Sequence, residues 1–408
     1  MWEIKEPLIY YKSSESMSEV KDNSIQLIIT SPPYGKIKNY DSESQIGYFD
    51  SFEEYFKRLT TVWKECYRVL EPHCRMVINV GDQYLRARDF GRYRIESISS
   101  KIISDCLVLG FDYLGDIIWQ KVSTTNTTGG CSLMGSIYYP RNGLLTYDYE
   151  HVLIFKKVDG QKIKVDRKTK ELSKIALSEW KKWFVGHWKI PGILQKEHVA
   201  MFPEEIPYRL IRMFSFIGDT VLDPFLGSGT SIKVAQSLFR NGIGYEVNVD
   251  YRDVIESKLE GTQPILDYQY LLYTLYKLSE SGEFRILYEF QKQKGIVILE
   301  DENNNKIIID YLSIDNEGFD EDKHVIEDEL KSKFEENSFQ NYIDGKGIWG
   351  EMKSYVIILN IVPSNSSKNI SNTIIKSEII KNYKKSVKII NLDEIIKKQS
   401  IKFLFLES

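Results

Sequence analysis

The chain has 408 residues, of which 42% are hydrophobic and 27% charged, and its formal net charge is −4. This composition excludes a wholly disordered chain, and at about 100–200 residues per domain the length predicts two or three domains. No apolar run approaches the roughly 18 residues of a membrane-spanning helix, and the N-terminus lacks a secretion-signal pattern, so we expect a cytoplasmic protein with no membrane partner. The four cysteines contain no Cys-x-x-Cys pair, which argues against a metal site.

Predicted strands and helices alternate along the chain up to residue 262. Short apolar runs predict strands at 8–11, 24–30, 76–80, 113–119, 149–155, 220–222 and 243–247. Helices are predicted at 52–70, 95–109, 203–216 and 231–239. This alternation indicates an α/β fold, with a mostly parallel sheet and helices on both faces.

Composition and charge change along the chain. Residues 122–148 are rich in Ser, Thr, Gly and Asn, as expected of a long irregular segment. Between Lys156 and Glu197, twelve Lys or Arg stand against five Asp or Glu, an excess of +7 that can face phosphates. After Gln263, Ile, Lys, Asn and Glu dominate, so we predict a domain boundary there.

The hexapeptide Thr30-Ser31-Pro32-Pro33-Tyr34-Gly35 directly follows a predicted apolar strand. In parallel sheets, ligand sites lie at the carboxyl ends of the strands. There the Ser31 hydroxyl and the Pro32 carbonyl can accept the two hydrogens of an exocyclic amine, while the Tyr34 ring stacks on a planar base. The alternative interpretation is an ordinary strand-ending turn.

A glycine-rich turn, Asp223-Pro224-Phe225-Leu226-Gly227-Ser228-Gly229-Thr230, separates a predicted strand from a predicted helix. Glycines let the backbone approach a ligand closely, and a helix N-terminus favours an anionic group. The turn matches neither the P-loop nor the Gly-x-Gly-x-x-Gly motif. Because Glu246 ends the next predicted strand and can accept from ribose hydroxyls, the turn and this acid together predict a nucleoside-ligand site.

These two motifs, in this order, resemble those of the amino-group DNA methyltransferases of the permuted, or beta, class. In that class a catalytic [DNS]-P-P-[YF] motif, here Ser31-Pro32-Pro33-Tyr34, precedes the cofactor motif F-x-G-x-G, here Phe225-Leu226-Gly227-Ser228-Gly229. The resemblance extends to His198-Val199-Ala200-Met201-Phe202-Pro203, to Asn79-Val80-Gly81-Asp82 and to the strand at Tyr149–Lys156. It covers residues 7–262.

The resemblance implies a Rossmann-like methyltransferase sheet of seven strands, mostly parallel with the last antiparallel, in a circularly permuted chain. Residues 1–121 and 198–262 then form the catalytic and cofactor-binding domain. Residues 122–197 form a target-recognition region, with the strand at 149–155 returning to the sheet. Residues 263–408 form an α+β accessory domain of unassigned role.

Site residues follow from the same resemblance and from the basic stretch. The catalytic residues are Ser31, Pro32, Pro33 and Tyr34. The positions expected to bind S-adenosylmethionine are Thr30, Asp82, His198, Phe202, Asp223, Pro224, Phe225, Gly227, Ser228, Gly229, Thr230 and Glu246. For Asp82, capping at the end of a strand is an equal alternative. The DNA-binding candidates are Lys121, Arg141, Lys181 and Lys182.

The implied activity is site-specific methyl transfer from S-adenosylmethionine to the exocyclic N4 amine of a cytosine flipped out of duplex DNA. Serine in the first catalytic position is more typical of cytosine-N4 enzymes, and adenine N6 is the alternative target. Two other hypotheses are a DNA-binding protein with an inactive methyltransferase fold and a nuclease fusion using Glu327, Glu329 and Lys331. The expected partners are duplex DNA and a restriction endonuclease of the same site, for a monomer or a homodimer.

Overall fold

The computed structural model describes residues 5–35, 45–121, 134–135, 141, 143–145, 147–192, 203–265, 267–280, 282, 284–286, 297–301, 306–315, 352–362 and 387–391. The chain forms two compact units. The first comprises Met1–Ser173 and Trp183–Pro264, and the second comprises Lys174–Lys182 and Ile265–Ser408. No helix within these described ranges is long and apolar enough to cross a membrane.

Strands and helices alternate through the first unit, as the sequence predicts. In chain order up to Leu259 the elements are β1 (Leu8–Tyr10), β2 (Ile25–Thr30), α1 (Phe52–Val69), β3 (Leu70–Val80), β4 (Gln83–Leu85), α2 (Ala87–Phe90), β5 (Arg94–Glu96), α3 (Ile98–Val108), β6 (Phe111–Gln120), β7 (Met134–Gly135), β8 (Gly143–Leu144), β9 (Tyr149–Lys157), α4 (Arg167–Leu172), α5 (Leu177–Trp183), β10 (His187–Lys189), α6 (Glu205–Phe214), β11 (Thr220–Asp223), α7 (Thr230–Ser237), β12 (Asn241–Tyr245) and α8 (Arg252–Leu259).

Eight strands form the main sheet, in the order β1-β12-β11-β2-β3-β9-β6-β10. Neighbouring strands are parallel except at β9, which runs antiparallel to both β3 and β6. The prediction of a mostly parallel sheet with one antiparallel strand is confirmed. The predicted number of seven strands is corrected to eight, because β10 pairs with β6 at the edge of the sheet. A strand of three residues is too short to show a hydrophobic period.

Helix α1 covers one face of this sheet. It begins with a capping box, in which the Ser51 side chain accepts from the Glu54 N–H and the Glu54 carboxylate accepts from the Ser51 N–H. Its apolar residues are spaced three and four apart, so they share one face and are buried in the core. They are Tyr55, Phe56, Leu59, Val62, Trp63, Cys66 and Val69.

A short hairpin of β4 and β5 follows β3, and the sequence analysis did not predict it. The predicted helix at 95–109 instead begins at Ile98, after this hairpin. The strands have three residues each, so neither carries a clear alternation.

The second unit contains a separate sheet and the helix α9 (Tyr268–Ser279). Its strands, in spatial order, are β13 (Phe284–Ile286), β14 (Val297–Asp301), β15 (Lys306–Asp315), β16 (Met352–Val362) and β17 (Val387–Asn391). The first three are antiparallel neighbours, and the last three are parallel. Residues 174–182 belong to this unit, although the sequence analysis places them in the region 122–197. The permutation and the role of residues 263–408 stay predictions, and Glu327, Glu329 and Lys331 lie outside the described residues.

Glycine at position 242 is a packing requirement of the main sheet. A Cβ added to Gly242 would lie 2.4 Å from Cγ2 of Ile232, which is fully buried in α7. This methyl is attached to the stiff, branched Cβ of isoleucine, so it cannot rotate away freely. The glycine therefore sets how closely α7 packs on β12.

We expect Gly242→Ala to destabilise the first unit by about 1–3 kcal/mol, because overpacking a filled core forces side chains or backbone to shift. The midpoint of urea unfolding is the measurement. Gly186→Ala is the matched control, since no heavy atom lies within 4 Å of an added Cβ there. Equal midpoints for the two variants would contradict this account of the packing.

Candidate active site at the carboxyl edge of the main sheet

The two sequence motifs meet at one edge of the main sheet. Strands β11, β2 and β3 are parallel neighbours, so their carboxyl ends lie side by side. Thr30 is the last residue of β2 and residues 31–35 follow it. The glycine-rich turn follows β11, and residues 81–83 follow β3. Ligands of open α/β sheets bind at such an edge. The structure therefore brings the motifs together, despite their separation in sequence.

Thr30 and Asp223 connect these motifs directly. Thr30 Oγ1 donates a hydrogen bond of 2.7 Å to Asp223 Oδ1, and both residues are buried. The Ser231 hydroxyl and the Phe225 N–H also donate to the Asp223 carboxylate. Burial nevertheless raises the pKa of Asp223 to about 6. Asp223 thus fixes the end of β2, the glycine-rich turn and the first turn of α7 around one carboxyl group.

The segment after Thr30 leaves oxygen atoms without partners. The Pro33 carbonyl accepts from the Gly35 N–H at 2.8 Å and from the Tyr55 hydroxyl at 2.9 Å. The Ser31 hydroxyl oxygen is buried and has no hydrogen-bond partner among the described residues. No hydrogen bond to the Pro32 carbonyl is made within that part of the chain either. Pro33 is therefore fixed by two donors, while the Ser31 and Pro32 oxygens remain available to a ligand.

Tyr34 is held by a buried acid that the sequence analysis did not single out. Its hydroxyl lies 3.2 and 3.3 Å from the two carboxylate oxygens of Glu150, at the start of β9. Asn79 Nδ2 donates to the same carboxylate at 2.7 Å, and the Lys121 ammonium forms an ion pair with it. An acidic residue in a predicted strand of the sheet, two positions before the apolar run 152–155, is the signal that could have identified Glu150.

Gln83 is a second polar residue that the sequence analysis missed. Its side chain is buried, and neither its amide nitrogen nor its amide oxygen has a partner among the described residues. A Cβ added to Gly35 would lie 3.3 Å from Gln83 Nε2, so this amide lies against the catalytic segment. Asn79 Oδ1 is likewise buried without a partner in the part of the chain that the structure describes. Such atoms are rare in folded proteins, and here they point to a polar ligand that completes their hydrogen bonding.

Glu246 organises the glycine-rich turn from the neighbouring strand. Its carboxylate accepts from the Gly227 N–H and from the Asn248 N–H, both at 2.8 Å. Burial raises the pKa of Glu246 to about 7. A Cβ added to Gly227 would have no atom within 4 Å, so this glycine borders open space. The turn can therefore admit a ligand beside the Glu246 carboxyl group.

Gly229 allows the backbone to take a left-handed conformation just before α7. Its φ of +86° lies in the left-handed region, which strains residues with a Cβ. An added Cβ would face Ile255, 3.6 Å away. Lys258, which the sequence analysis did not identify, donates to the hydroxyls of Ser228 and Thr230 at 2.6 and 3.0 Å. Its burial lowers the pKa of Lys258.

Other predicted site residues have different surroundings. The Asp82 carboxylate accepts from the Ser99 N–H at 2.9 Å and from the Ser97 hydroxyl at 3.3 Å, so it caps the start of α3. The sequence analysis gives capping at the end of a strand as the alternative for Asp82, whereas this cap is at the start of a helix. A role of Asp82 in cofactor binding stays a prediction. The half-buried Phe225 ring packs edge-on against Trp63, with ring centroids 6.0 Å apart. Pro224 is buried in the turn.

The predicted DNA-binding residues are spread over the chain. Arg141 is exposed, and so are Lys181 and Lys182 in the part of α5 that belongs to the second unit. Lys121 is half-buried by its ion pair with Glu150. His198 and Phe202 lie outside the described residues. The roles of all these residues stay predictions.

Comparisons with known proteins find one family for this region. A family model of N6 and N4 enzymes, described as DNA methylase, matches residues 25–257. The Type II methyltransferase M.MjaI of Methanocaldococcus jannaschii is 36% identical over 279 residues, covering 62% of this chain and 90% of that protein. M.MthZI of Methanothermobacter thermautotrophicus, also a Type II methyltransferase, is 34% identical over 278 residues, covering 62% of this chain and 76% of that protein.

A solved structure shares the fold of this region. TTHA0409 of Thermus thermophilus, described as a putative DNA modification methylase and complexed with S-adenosyl-L-methionine, superposes with a TM-score of 0.51. It is 29% identical and covers 63% of this chain and 96% of that one. The main sheet of the first unit therefore has the methyltransferase fold.

The hydrogen bond between Thr30 and Asp223 gives a direct test of the site's architecture. Thr30→Val keeps the shape of the side chain but removes the donor, and we expect a loss of about 1–3 kcal/mol in the free energy of unfolding. Thr30→Ser, which retains the hydroxyl, is the control. Urea unfolding of both variants is the measurement, and the account is wrong if serine costs as much as valine.

Proposed function

We propose that this chain, which belongs to the N6/N4 DNA methylase family, transfers a methyl group to the exocyclic N4 amine of cytosine in duplex DNA. Family membership makes it a DNA methyltransferase. The names of its Type II relatives support a place in a restriction-modification system, with an endonuclease of the same site as partner. The observation that carries the proposal is the buried Ser31 oxygen, which has no partner among the described residues and directly follows Thr30, the residue bonded to Asp223.

The exocyclic amine is a poor nucleophile because its lone pair is delocalised into the ring. Ser31 and Pro32 can each accept one of its hydrogens, which favours a pyramidal nitrogen with a localised lone pair. The nitrogen would then bond to the methyl carbon while the bond from that carbon to sulfur breaks, the sulfur keeping the electron pair. One proton of the amine would pass to solvent water. This is catalysis by position and electrostatics, and it needs no covalent bond to the protein.

Tyr34 and Glu150 prepare a place for the base. A base must leave the duplex to reach an edge of the sheet, and aromatic rings stack on such extruded bases. The Glu150 carboxylate fixes the Tyr34 hydroxyl, and the ion pair with Lys121 compensates the buried charge. The ring is therefore positioned before the base arrives, so less of the binding energy is used to order it.

The residues of the glycine-rich turn fit S-adenosylmethionine, the proposed cofactor, which supplies a methyl group on a sulfonium. Glu246 can accept from ribose hydroxyls, and the open space at Gly227 lets a ligand reach the backbone. Gly229, Ser228 and Thr230 hold the shape of the turn. The complex of TTHA0409 with this cofactor supports the same proposal.

The product identifies the base. We expect purified enzyme, amplified bacterial DNA without modified bases and labelled S-adenosylmethionine to give N4-methylcytosine, as determined by mass spectrometry of the nucleosides. Ser31→Ala should remove most of this product, because one acceptor of the amine is lost, yet bind the cofactor with unchanged affinity by calorimetry. N6-methyladenine as the product would make the adenine alternative correct. Cofactor binding without any methyl transfer would favour an inactive fold.

The raised pKa of Glu246 predicts a pH dependence of cofactor affinity. Ribose hydroxyls donate to the carboxylate form, whereas below a pH of about 7 the ligand-free protein holds the carboxyl protonated. Affinity should therefore fall by up to about tenfold for each pH unit below that value. Calorimetry across this range is the measurement. Glu246→Gln should bind weakly without this dependence, and an unchanged profile in that variant would assign the titration to another group.

A further inference from the structure

A surface rich in arginine and aromatic residues lies beside the catalytic segment. It combines the hairpin of β4 and β5, together with α2 between them, with the exposed residues just before α1. We call it the arginine-aromatic rim, and its members are Tyr48, Phe49, Arg86, Arg88, Phe90, Arg92, Tyr93 and Arg94. Every one of these side chains is exposed.

Both parts of the rim are attached to the catalytic segment. Gln83 begins the hairpin and lies against Gly35. A Cβ added to Gly47, next to Tyr48, would lie 2.7 Å from Gly35 Cα, so the second part also touches this segment. The ring of Phe90 lies 6.1 Å from that of Phe52 at the start of α1, which joins the two parts. The rim therefore borders the place proposed for the extruded base.

The charges of the hairpin are not balanced within it. Residues 83–96 contain four arginines but only two acids, Asp89 and Glu96. These acids pair with Arg88 and Arg94. Arg86 and Arg92 have no ion-pair partner in the part of the chain that the structure describes. Two exposed guanidinium groups are thus available to an anionic partner.

The exposed aromatic rings also indicate which kind of partner the rim binds. Phe49 is 66% exposed and Tyr93 58% exposed, which is unusual for two large rings on one small surface. Guanidinium groups beside aromatic rings suit nucleic acid. Guanidinium groups contact phosphates, and aromatic rings stack on bases or insert between two bases that have lost their stacking. A protein partner could cover the same groups, but the position of these residues beside the catalytic segment favours nucleic acid.

We propose that the arginine-aromatic rim binds the DNA duplex on either side of the extruded base. Arg86 and Arg92 contact backbone phosphates, while Tyr93 packs against bases next to the vacated position. This inference rests on the proposed function, since it takes the extruded base as its point of reference. It adds a DNA contact outside residues 122–197, the region in which the sequence analysis expects DNA recognition.

The test measures the salt dependence of DNA binding. We expect Arg86→Gln/Arg92→Gln to lower the slope of log affinity against log KCl by about 1.8, since each phosphate contact contributes about 0.9 for B-DNA. A fluorescein-labelled duplex of mixed sequence is the probe, read by anisotropy. Lys21→Gln/Lys64→Gln is the matched control: it removes two exposed charges from the opposite, amino-terminal side of β2 and β3, and it should leave the slope unchanged.

Tyr93→Ala tests the aromatic part of the rim. We expect at least about a fivefold higher KM for DNA, the low end of what a stacked ring contributes. Calorimetry should give the same affinity for S-adenosylmethionine as in the wild type. Unchanged slopes and KM values would overturn the inference. An altered oligomeric state with unchanged DNA affinity would overturn it too, because the rim would then contact a second copy of the chain.

These outcomes separate the inference from the proposed function. If wild-type protein methylates DNA and the rim variants behave like the lysine control, only the inference is wrong. If wild-type protein transfers no methyl group to DNA, the proposed function fails. The salt slopes then still report whether the rim binds DNA.

Discussion

One buried hydrogen bond, from Thr30 to Asp223, holds the two parts of the candidate site together. These residues stand 193 positions apart in the chain, yet they end neighbouring strands of one sheet. The Asp223 carboxyl group also receives Ser231 and the backbone of Phe225. The segment proposed to hold the base and the turn proposed to hold the cofactor therefore share one anchor. A shift of this anchor would change the distance between the two reactants.

Buried carboxyl groups recur around the site, and each is placed to organise backbone or side chains. Glu246 binds two backbone N–H groups, and Glu150 gathers Tyr34, Asn79 and Lys121. Burial of an acid is costly unless donors surround it. Each acid accepts from at least one donor on another element of the fold, so it connects that element to its own. The buried Ser31 oxygen, in contrast, has no partner among the described residues.

The sequence predicts those parts of the site whose chemistry is contiguous. Ser31 to Tyr34 and the turn after Asp223 each combine a strand end with suitable donors and acceptors, and both lie at the predicted edge. Glu150 and Lys258 escaped prediction because their partners are 116 and 28 to 30 residues away. The position of Glu150 in a predicted strand is a signal, but the residues around Glu150 and Lys258 do not indicate which partners they contact.

The sheet was predictable in outline for a similar reason. Apolar runs such as those of β1 and β3 identify strands, whereas the three-residue strands β4, β5 and β10 include polar residues and show no apolar run. The helix predicted at 95–109 begins at Ile98, because the unpredicted hairpin occupies the preceding residues, and Asp82 accepts from the Ser99 N–H at that start.

The order of the strands has a consequence for folding of the protein during its synthesis. Leu8 of β1 pairs with Ile243 of β12, and β11 and β12 fill the space between β1 and β2. Strand β1 is synthesised before the other strands of the main sheet, but its neighbour in the sheet, β12, is synthesised last among them. The edge of β2 that receives β11 also stays open during that time. Closure of such distant pairings is slow, and open strand edges invite aggregation. The edges of β1 and β2 that face β12 and β11 therefore stay unpaired in a nascent chain at least until Tyr245 has been added.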